Sequence, residues 1–209
     1  MKYILLVDDQ AIVRYGTIQL LMELYPGVQV KTAKDIDEMV DQLNKSKFEL
    51  LILDIDFPGS SSFGMLDIIR LRQPDIKILV FSGYDEKLYA QRYLSAGAHG
   101  YLSKRDPEKK LGLAINTISQ GNVYVSEELK QMLAGGKKET GGVMKNPMIS
   151  LSDRELEVMN LLAGGLSLPE ISERLNLQLS TVSTYRHRIF EKLDVSNVID
   201  LVEKMKLYT

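Results

Sequence analysis

The chain contains no cysteine and only two histidines. Without cysteine it can form neither a disulfide framework nor a thiolate metal site, which suits a reducing compartment. It also lacks a long apolar run: the stretch Tyr3–Val7 stops at Asp8-Asp9, too short for a signal-peptide core, and no later segment approaches the ~20 apolar residues of a membrane helix. We therefore expect a soluble, cytoplasmic protein with no membrane partner.

The chain also has no large excess of positive or negative charge. The 26 Lys and Arg residues nearly balance 28 Asp and Glu residues, which leaves a formal net charge of -2. Since a strongly basic domain is the usual footprint of nucleic-acid binding, any DNA contact must come from a local set of residues. The length of 209 residues and the apolar content of 44% are ordinary for a chain of two modest globular domains.

The first 121 residues alternate short apolar runs with amphipathic stretches. Five runs are typical of β-strands: Tyr3–Val7, Val28–Thr32, Leu50–Leu53, Lys77–Phe81 and Gly100–Leu102. Five stretches have helical spacing of apolar residues: Ile12–Leu24, Ile36–Leu43, Met65–Arg72, Lys87–Ala96 and Asp106–Ser119. Strands that alternate with helices predict an α/β fold, a doubly wound five-stranded parallel sheet over residues 1–121.

Polar residues follow the carboxyl ends of four of these strands, namely Asp8-Asp9, Asp54, Ser82 and Lys104. Because ligands of such a sheet bind beyond the carboxyl ends of its strands, we expect these side chains to share one rim. Three carboxylates at close range need a neutralising cation, and Mg²⁺ prefers oxygen ligands. Taken singly, Asp8 and Asp9 are better explained as caps of the next helix, and Ser82 and Lys104 as solvated loop residues.

Asp54 stands at the end of the apolar run LLIL, where a carboxylate is costly unless it binds something. A carboxylate can act as a nucleophile and accept a phosphoryl group as an acyl phosphate. In that reading the metal and Lys104 balance the charge on the transferring oxygens, and Ser82 hydrogen-bonds the phosphoryl group. Tyr84 would shield that group from water and prolong its lifetime.

The pattern dissolves over residues 122–147, which we interpret as a linker with a short helix at Glu127–Leu133. Beyond it, Ser152 with Glu155 and Ser167 with Glu170 fit the capping box that begins a helix. Ser180 and Ser196 are candidate caps for two further helices. Residues 148–209 therefore predict a small all-α domain of four short helices.

Two of these helices, over 167–175 and 180–193, are separated by the turn NLQL, as a helix-turn-helix requires. The second places Val182, Tyr185, Ile189 and Leu193 on one side, which we expect to face the core. Short polar and basic groups that fit a major groove lie elsewhere on it. The candidate DNA contacts are Ser180, Ser183, Thr184, Arg186, His187, Arg188 and Lys192, although a solvated helix face explains each of them singly.

The five polar positions of the first domain, with FPG after Asp54 and AGAHGYLSK before the domain's end, resemble the receiver domain of two-component response regulators. The resemblance implies a flavodoxin-like fold and phosphorylation of Asp54 by a sensor histidine kinase. It implies Mg²⁺ bound by Asp8, Asp9, Asp54 and the main-chain carbonyl of Asp56, and Tyr101 as the aromatic switch residue. Phe57 in place of methionine and the loop GSSSFG depart from the pattern on the kinase-facing side.

The second domain is similar to the LuxR-type helix-turn-helix, notably at Glu155, Gly165-Leu166, Thr181-Val182 and Lys192-Leu193. Tyr185 and Ser183 depart from it, so base preference does not carry over. The order receiver, linker and DNA-binding domain resembles the NarL/FixJ type, which implies a phosphorylation-activated transcription regulator that binds double-stranded DNA as a homodimer. The helix at Ser196–Lys206 would supply core packing or part of the dimer surface.

Three alternatives remain open from the sequence. The motif DID also resembles the nucleophile motif of haloacid-dehalogenase-like phosphatases, although Asp8-Asp9 and Phe57-Pro58 argue against it. A small-molecule sensor joined to the same DNA-binding domain is disfavoured by the acidic rim. A receiver that binds DNA without phosphorylation is a third alternative that the residues leave open. We expect no enzymatic turnover beyond self-phosphorylation from a donor and slow dephosphorylation.

Overall fold

The computed structural model describes residues 2–55, 64–106, 108–135 and 146–208, with side chains outside 132–135. Its contacts divide the chain into two compact units. Of the described residues, one unit contains 2–55, 64–106 and 108–135, and the other contains 146–208. None of the helices in the described ranges is long and apolar enough to cross a bilayer.

The first unit is built on a five-stranded parallel sheet with the order β2-β1-β3-β4-β5. Its strands are β1 (Tyr3–Val7), β2 (Gln29–Ala33), β3 (Leu50–Leu53), β4 (Lys77–Ser82) and β5 (Gly100–Ser103). The helices between and after them are α1 (Ala11–Leu24), α2 (Ile36–Lys45), α3 (Gly64–Arg72), α4 (Glu86–Ser95) and α5 (Lys109–Ser119). The predicted doubly wound sheet is confirmed, and its strand order reverses between β1 and β3.

The two central strands are apolar along their length because helices cover both faces of the sheet. Ile4–Val7 of β1 and Leu50–Leu53 of β3 have no exposed surface. Each such side chain contributes about 1.5–3 kcal/mol of burial free energy. The edge strand β2 instead alternates exposed and half-buried residues before the buried Ala33. This packing holds the carboxyl ends of β1 and β3 side by side.

The chain after α5 stays on the sheet. The N–H of Tyr124 donates to the carbonyl of His99 at 3.0 Å, and the carbonyl of Tyr124 accepts from the N–H of Tyr101 at 2.9 Å. Tyr124 and Val125 are buried, and helix α6 (Glu127–Gly135) follows. The first residues of the segment predicted to be a linker are thus packed against β5.

The second unit contains a 3-10 helix (Pro147–Ser150) and the helices α7 (Asp153–Ala163), α8 (Leu168–Arg174), α9 (Leu179–Leu193) and α10 (Val198–Lys206). Ser152 and Glu155 form the predicted capping box of α7. The amide and hydroxyl of Ser167 both donate to Glu170 at the start of α8. The predicted all-α domain with a helix-turn-helix is confirmed.

The two other predicted caps were wrong. Helix α9 begins earlier than expected, so its N-cap is Gln178 and Ser180 lies inside the helix. The N-cap of α10 is Asn197, whose side chain accepts a hydrogen bond from the N–H of Asp200. An amide oxygen competes well with a hydroxyl for this position, and Ser196 instead donates its hydroxyl to Asp200.

Candidate functional site

Three carboxylates meet where β1 and β3 end. One oxygen each of Asp8, Asp9 and Asp54 lies within 4.8 Å of the other two. Asp8 and Asp54 are each only 1% exposed, whereas Asp9 is exposed. The structure therefore brings together the acids that the sequence placed at the ends of separate strands.

Lys104, just after β5, forms ion pairs with two of these acids. Its Nζ lies 2.6 Å from Oδ2 of Asp8 and 2.7 Å from Oδ2 of Asp54. Burial alone would lower the pKa of Lys104, but the two carboxylates outweigh it and the pKa is raised. Lys104 therefore stays charged, and three carboxylates still outnumber one ammonium.

The donor set fits a divalent cation that prefers oxygen. It offers three carboxylates, which leave two net negative charges after Lys104 is counted, and one of the carboxylates is open to solvent. Hard cations such as Mg²⁺ bind through carboxylates and keep several waters, which an exposed edge allows. Asp56, whose main-chain carbonyl was the fourth predicted ligand, lies outside the described residues, as do Phe57-Pro58 and most of the following loop.

Asp54 is held in a fixed orientation. Its Oδ1 accepts a hydrogen bond from the N–H of Ile55 at 2.7 Å, and its own N–H donates to the carbonyl of Val7 at 2.8 Å. Oδ2 faces the ammonium of Lys104. A carboxylate so oriented, with cations beside it, is suited to attack an electrophilic phosphorus.

Helix capping explains only part of the Asp8 geometry. Oδ1 of Asp8 accepts from the N–H of Gln10 at 2.8 Å, but Gln10 itself is the N-cap of α1. Arg14 donates to the carbonyls of Asp8 at 2.7 Å and Asp9 at 3.0 Å, which fixes the loop that carries both acids. Sequence analysis missed Arg14, because only the folded helix shows that a side chain in its first turn reaches back to this loop.

Ser82 and Tyr101 lie together beside the carboxylates. Ser82 ends β4 with no exposed surface, and its hydroxyl accepts from the N–H of Tyr84 at 3.1 Å. Tyr101 is also fully buried, and its hydroxyl donates to the carbonyl of Tyr84 at 3.1 Å. Burial raises the pKa of Tyr101, against the opposite effect of a hydrogen bond with Ser82. The connection between β4 and α4 is thus tied to both residues.

The ring of Tyr84 stacks on Tyr89 of α4, with ring centroids 5.1 Å apart. This contact orients the residue that the sequence suggested as a shield for a phosphoryl group. The shielding itself stays a prediction.

The polar face expected on α9 is present. Ser180, Thr184, His187 and Arg188 are exposed, whereas Val182, Ile189 and Leu193 are buried. Ser183 and Arg186 are half-buried on the flank, as is Tyr185, which was expected in the core. The hydroxyl of Thr184 donates to the carbonyl of Ser180 within the helix at 2.9 Å. Arg188 is the exposed cation on this face.

Lys192, one of the predicted phosphate contacts, is paired within the domain. Its Nζ lies 2.6 Å from Oε2 of Glu155, a residue of α7 that is 3% exposed. Burial would raise the pKa of Glu155, but hydrogen bonds from Lys192 and Ser152 outweigh it and the pKa is lowered. Because an uncompensated buried carboxylate is costly, Lys192 is committed to holding α9 against α7.

Comparison with protein families identifies both units. Residues 4–116 match the response regulator receiver domain. Residues 149–205 match the LuxR family of bacterial regulatory proteins.

Known relatives align with this chain over most of both sequences. The chain is 33% identical to the oxygen regulatory protein NreC of Staphylococcus haemolyticus, over 96% of this chain and 94% of the relative. It is 30% identical to the response regulator UvrY of Escherichia coli, over 95% and 90% of the two chains.

Among solved structures, the chain is similar to RcsB of Salmonella typhimurium, with a TM-score of 0.77 over the full length of both chains and 24% identity. A second RcsB structure, bound to a promoter in the presence of phosphomimetic BeF3-, is 25% identical with a TM-score of 0.73 over 97% of both chains.

Proposed function

Since the chain belongs to the response regulators, with a receiver domain followed by a LuxR-type DNA-binding domain, we propose that phosphorylation of Asp54 controls its binding to DNA. The donor would be a sensor histidine kinase, and the output would be a change in transcription. The observation that supports this most directly is the pairing of the buried Asp54 carboxylate with Lys104 beside two further acids.

Asp8, Asp9 and Asp54 would hold Mg²⁺, which would neutralise charge on the phosphoryl oxygens when bound. The remaining work falls to side chains of the chain itself. A carboxylate oxygen of Asp54 forms a bond to phosphorus as the bond from phosphorus to the donor imidazole breaks, and the imidazole nitrogen keeps the electron pair. Lys104 stays protonated and offers its charge to the group that arrives. Ser82 would donate its hydroxyl to a phosphoryl oxygen.

The change at Asp54 has a route out of the site through Ser82. If the Ser82 hydroxyl turns to a phosphoryl oxygen, it gives up its present bonds with the Tyr84 amide and the Tyr101 hydroxyl. Tyr101, with its hydroxyl on the Tyr84 carbonyl, would then settle into a different arrangement. A local charge change thereby biases a buried aromatic residue between two states, as in other phosphorylation switches.

DNA binding would use the exposed face of α9, with Arg188 and the flanking Arg186 as the cations and Ser180, Ser183, Thr184 and His187 as the polar contacts. Similar RcsB chains are described bound to promoter DNA and as dimers. We propose the same partner class here, with a homodimer on two half-sites formed upon phosphorylation.

An enzyme that turns over phosphomonoesters is the less favoured function. The side-chain cation that contacts Asp54 is Lys104, and the hydroxyls of Ser82 and Tyr101 belong to β4 and β5. We propose one retained phosphoryl group per chain, without steady turnover.

The test is incubation of the full-length chain with Mg²⁺ and acetyl phosphate, followed by intact mass and size-exclusion analysis. We expect one added phosphoryl group and a shift from monomer to dimer. Asp54→Ala should show neither change, and Asp8→Asn should need a higher Mg²⁺ concentration for the same uptake.

Two results would argue against the proposal. Continuous release of phosphate from p-nitrophenyl phosphate would favour the phosphatase. Equal binding of wild type and Asp54→Ala to sheared duplex DNA, with and without acetyl phosphate, would favour a regulator that works without phosphorylation.

A further inference from the structure

Helix α4 is tied to the start of α6 by two neighbouring side chains. Oε1 of Glu86 accepts a hydrogen bond from the N–H of Ser126 at 2.7 Å. The Nζ of Lys87 lies 2.9 Å from Oε1 of Glu128. The two contacts join residues about forty positions apart in the sequence, so they are not local capping interactions.

Ser126 directly precedes α6 and caps its first turn. Its hydroxyl accepts from the N–H of Leu129 at 3.1 Å, and its carbonyl accepts from the N–H of Lys130 at 3.0 Å. Glu86 therefore satisfies the amide of a residue whose hydroxyl and carbonyl already hold the first turn of α6. Leu129, on the inner side of that turn, is buried.

The other end of this connection is the loop between β4 and α4, which follows Ser82. Ser82 and Tyr84 bond to each other and to Tyr101, and Asp85 is the N-cap of α4, accepting from the N–H of Lys87 at 2.8 Å. Glu86 and Lys87 follow directly and form the first turn of α4. A displacement of the loop moves this turn, and with it the two groups that hold α6.

We infer that Glu86 and Lys87 are positioning residues that transmit the state of Asp54 to α6, and so to the chain that leads into the DNA-binding unit. This inference rests on the proposed function, because it takes phosphorylation as the input. The principal contact is Glu86 with Ser126, since it fixes a backbone amide. The pair of Lys87 and Glu128 is more exposed, with side chains 35% and 70% accessible, and adds less.

The test compares hydrogen exchange over residues 124–131 with and without acetyl phosphate and Mg²⁺, in full-length protein. In the wild type, phosphorylation should change exchange at both the start of α4 and the start of α6. In Glu86→Ala, the change over 124–131 should fall by about fivefold or more, the scale of a modest coupling. Intact mass should show that this variant still takes up one phosphoryl group.

Two matched controls separate coupling from mere stability. Glu86→Gln loses the charge but keeps an acceptor for the Ser126 amide, so it should behave as the wild type does. Glu127→Gln and Glu128→Gln both remove an acid from the first turn of α6. Only Glu128 pairs with Lys87, whereas Glu127 pairs with Lys130 of its own helix. Glu128→Gln should weaken the response of α6 to phosphorylation, and Glu127→Gln should not.

An unchanged response in Glu86→Ala would overturn the inference while leaving the proposed function intact. A wild type that takes up no phosphoryl group would instead refute the proposed function. In that case the contact between Glu86 and Ser126 is tested in the absence of acetyl phosphate. If Glu86 positions α6, hydrogen exchange at the Ser126 amide is faster in Glu86→Ala than in Glu86→Gln. Equal rates would overturn the inference.

Discussion

At the scale of single residues, the candidate site depends on one ammonium group between two buried carboxylates. Asp8 and Asp54 are each 1% exposed and both contact Lys104. Removal of a partner from a buried ion pair typically costs 3–5 kcal/mol, because a charge is left without compensation. Lys104 therefore stabilises the fold, in addition to the role proposed for it in phosphoryl transfer.

Lys104→Met should destabilise the first unit by roughly 3 kcal/mol in magnesium-free buffer, since two carboxylates lose their counter-charge. Added Mg²⁺ should recover much of the loss, because a ligand that binds only the folded state stabilises it. Urea unfolding with and without Mg²⁺ measures both effects. Lys45→Met, which removes an exposed pair with Asp41, is the control and should change stability little in either buffer. If the free energy of unfolding of Lys104→Met were the same with and without Mg²⁺, that result would count against a cation site here.

His99 is a second residue whose environment makes a definite prediction. Its Nδ1 accepts from the N–H of Ile78 at 3.1 Å. Burial, with Lys77 and Arg70 nearby, lowers its pKa from 6.5 to about 4. The unfolded chain therefore binds a proton at a higher pH than the folded chain does, so this contribution to stability is present above pH 6.5 and is lost as the pH falls towards 4.

We expect His99 to contribute about 2 kcal/mol to the loss of stability between pH 6.5 and 4, a value reduced for its partial exposure to solvent. His99→Asn keeps an acceptor near the Nδ1 position and does not titrate. Its free energy of unfolding should consequently fall less steeply over this range than that of the wild type. Parallel slopes for the two proteins would contradict the assigned cause.

At the scale of elements, the apolar runs predicted the strands almost residue by residue. ILLV and LLIL are buried on both faces, so their composition alone distinguishes them from edge strands. Helix starts were less predictable. Helix α5 begins at Lys109 rather than Asp106, and α9 begins before its first serine, because capping depends on backbone geometry that sequence does not record.

Some residues of the candidate site were predictable from the sequence and others were not. Asp8, Asp9, Asp54 and Lys104 were predictable because topology alone brings strand ends together. Arg14 and the link from Glu86 to Ser126 were not, because they depend on where side chains reach after packing. For Lys192 the sequence predicted a phosphate contact but could not show its intramolecular partner, because Glu155 lies 37 positions earlier.

The contact between α7 and α9 makes Lys192 testable. Lys192→Met should destabilise the second unit by about 2 kcal/mol, since the buried Glu155 loses its partner, and should leave the salt dependence of DNA binding unchanged. Arg188→Met should instead leave stability unchanged and reduce the salt slope by about 1 per bound module. Combined with Glu155→Gln, Lys192→Met should cost less than the sum of the single changes. A salt slope reduced by Lys192→Met would restore the phosphate contact.

At the scale of the whole molecule, charge limits what one DNA-binding unit can do. Residues 148–209 contain seven Lys and Arg residues against nine Asp and Glu residues. Lys192 of α9 is paired with Glu155, which leaves Arg186 and Arg188 as the other two cations of that helix. Non-specific attraction to phosphates is therefore weak, and affinity must come from two units that bind together.

The number of phosphates neutralised should consequently report the oligomeric state on DNA. With two arginines per unit, the slope of log K against log salt concentration should be about -2 for a single unit and about -4 for a dimer. Phosphorylated wild type should show the steeper slope on sheared duplex DNA, and Asp54→Ala the shallower one under the same conditions. If both proteins showed the same slope, phosphorylation would act on something other than the pairing of DNA-binding units. Because the slope counts contacts rather than strength, it separates dimer formation from a simple gain in the affinity of each unit.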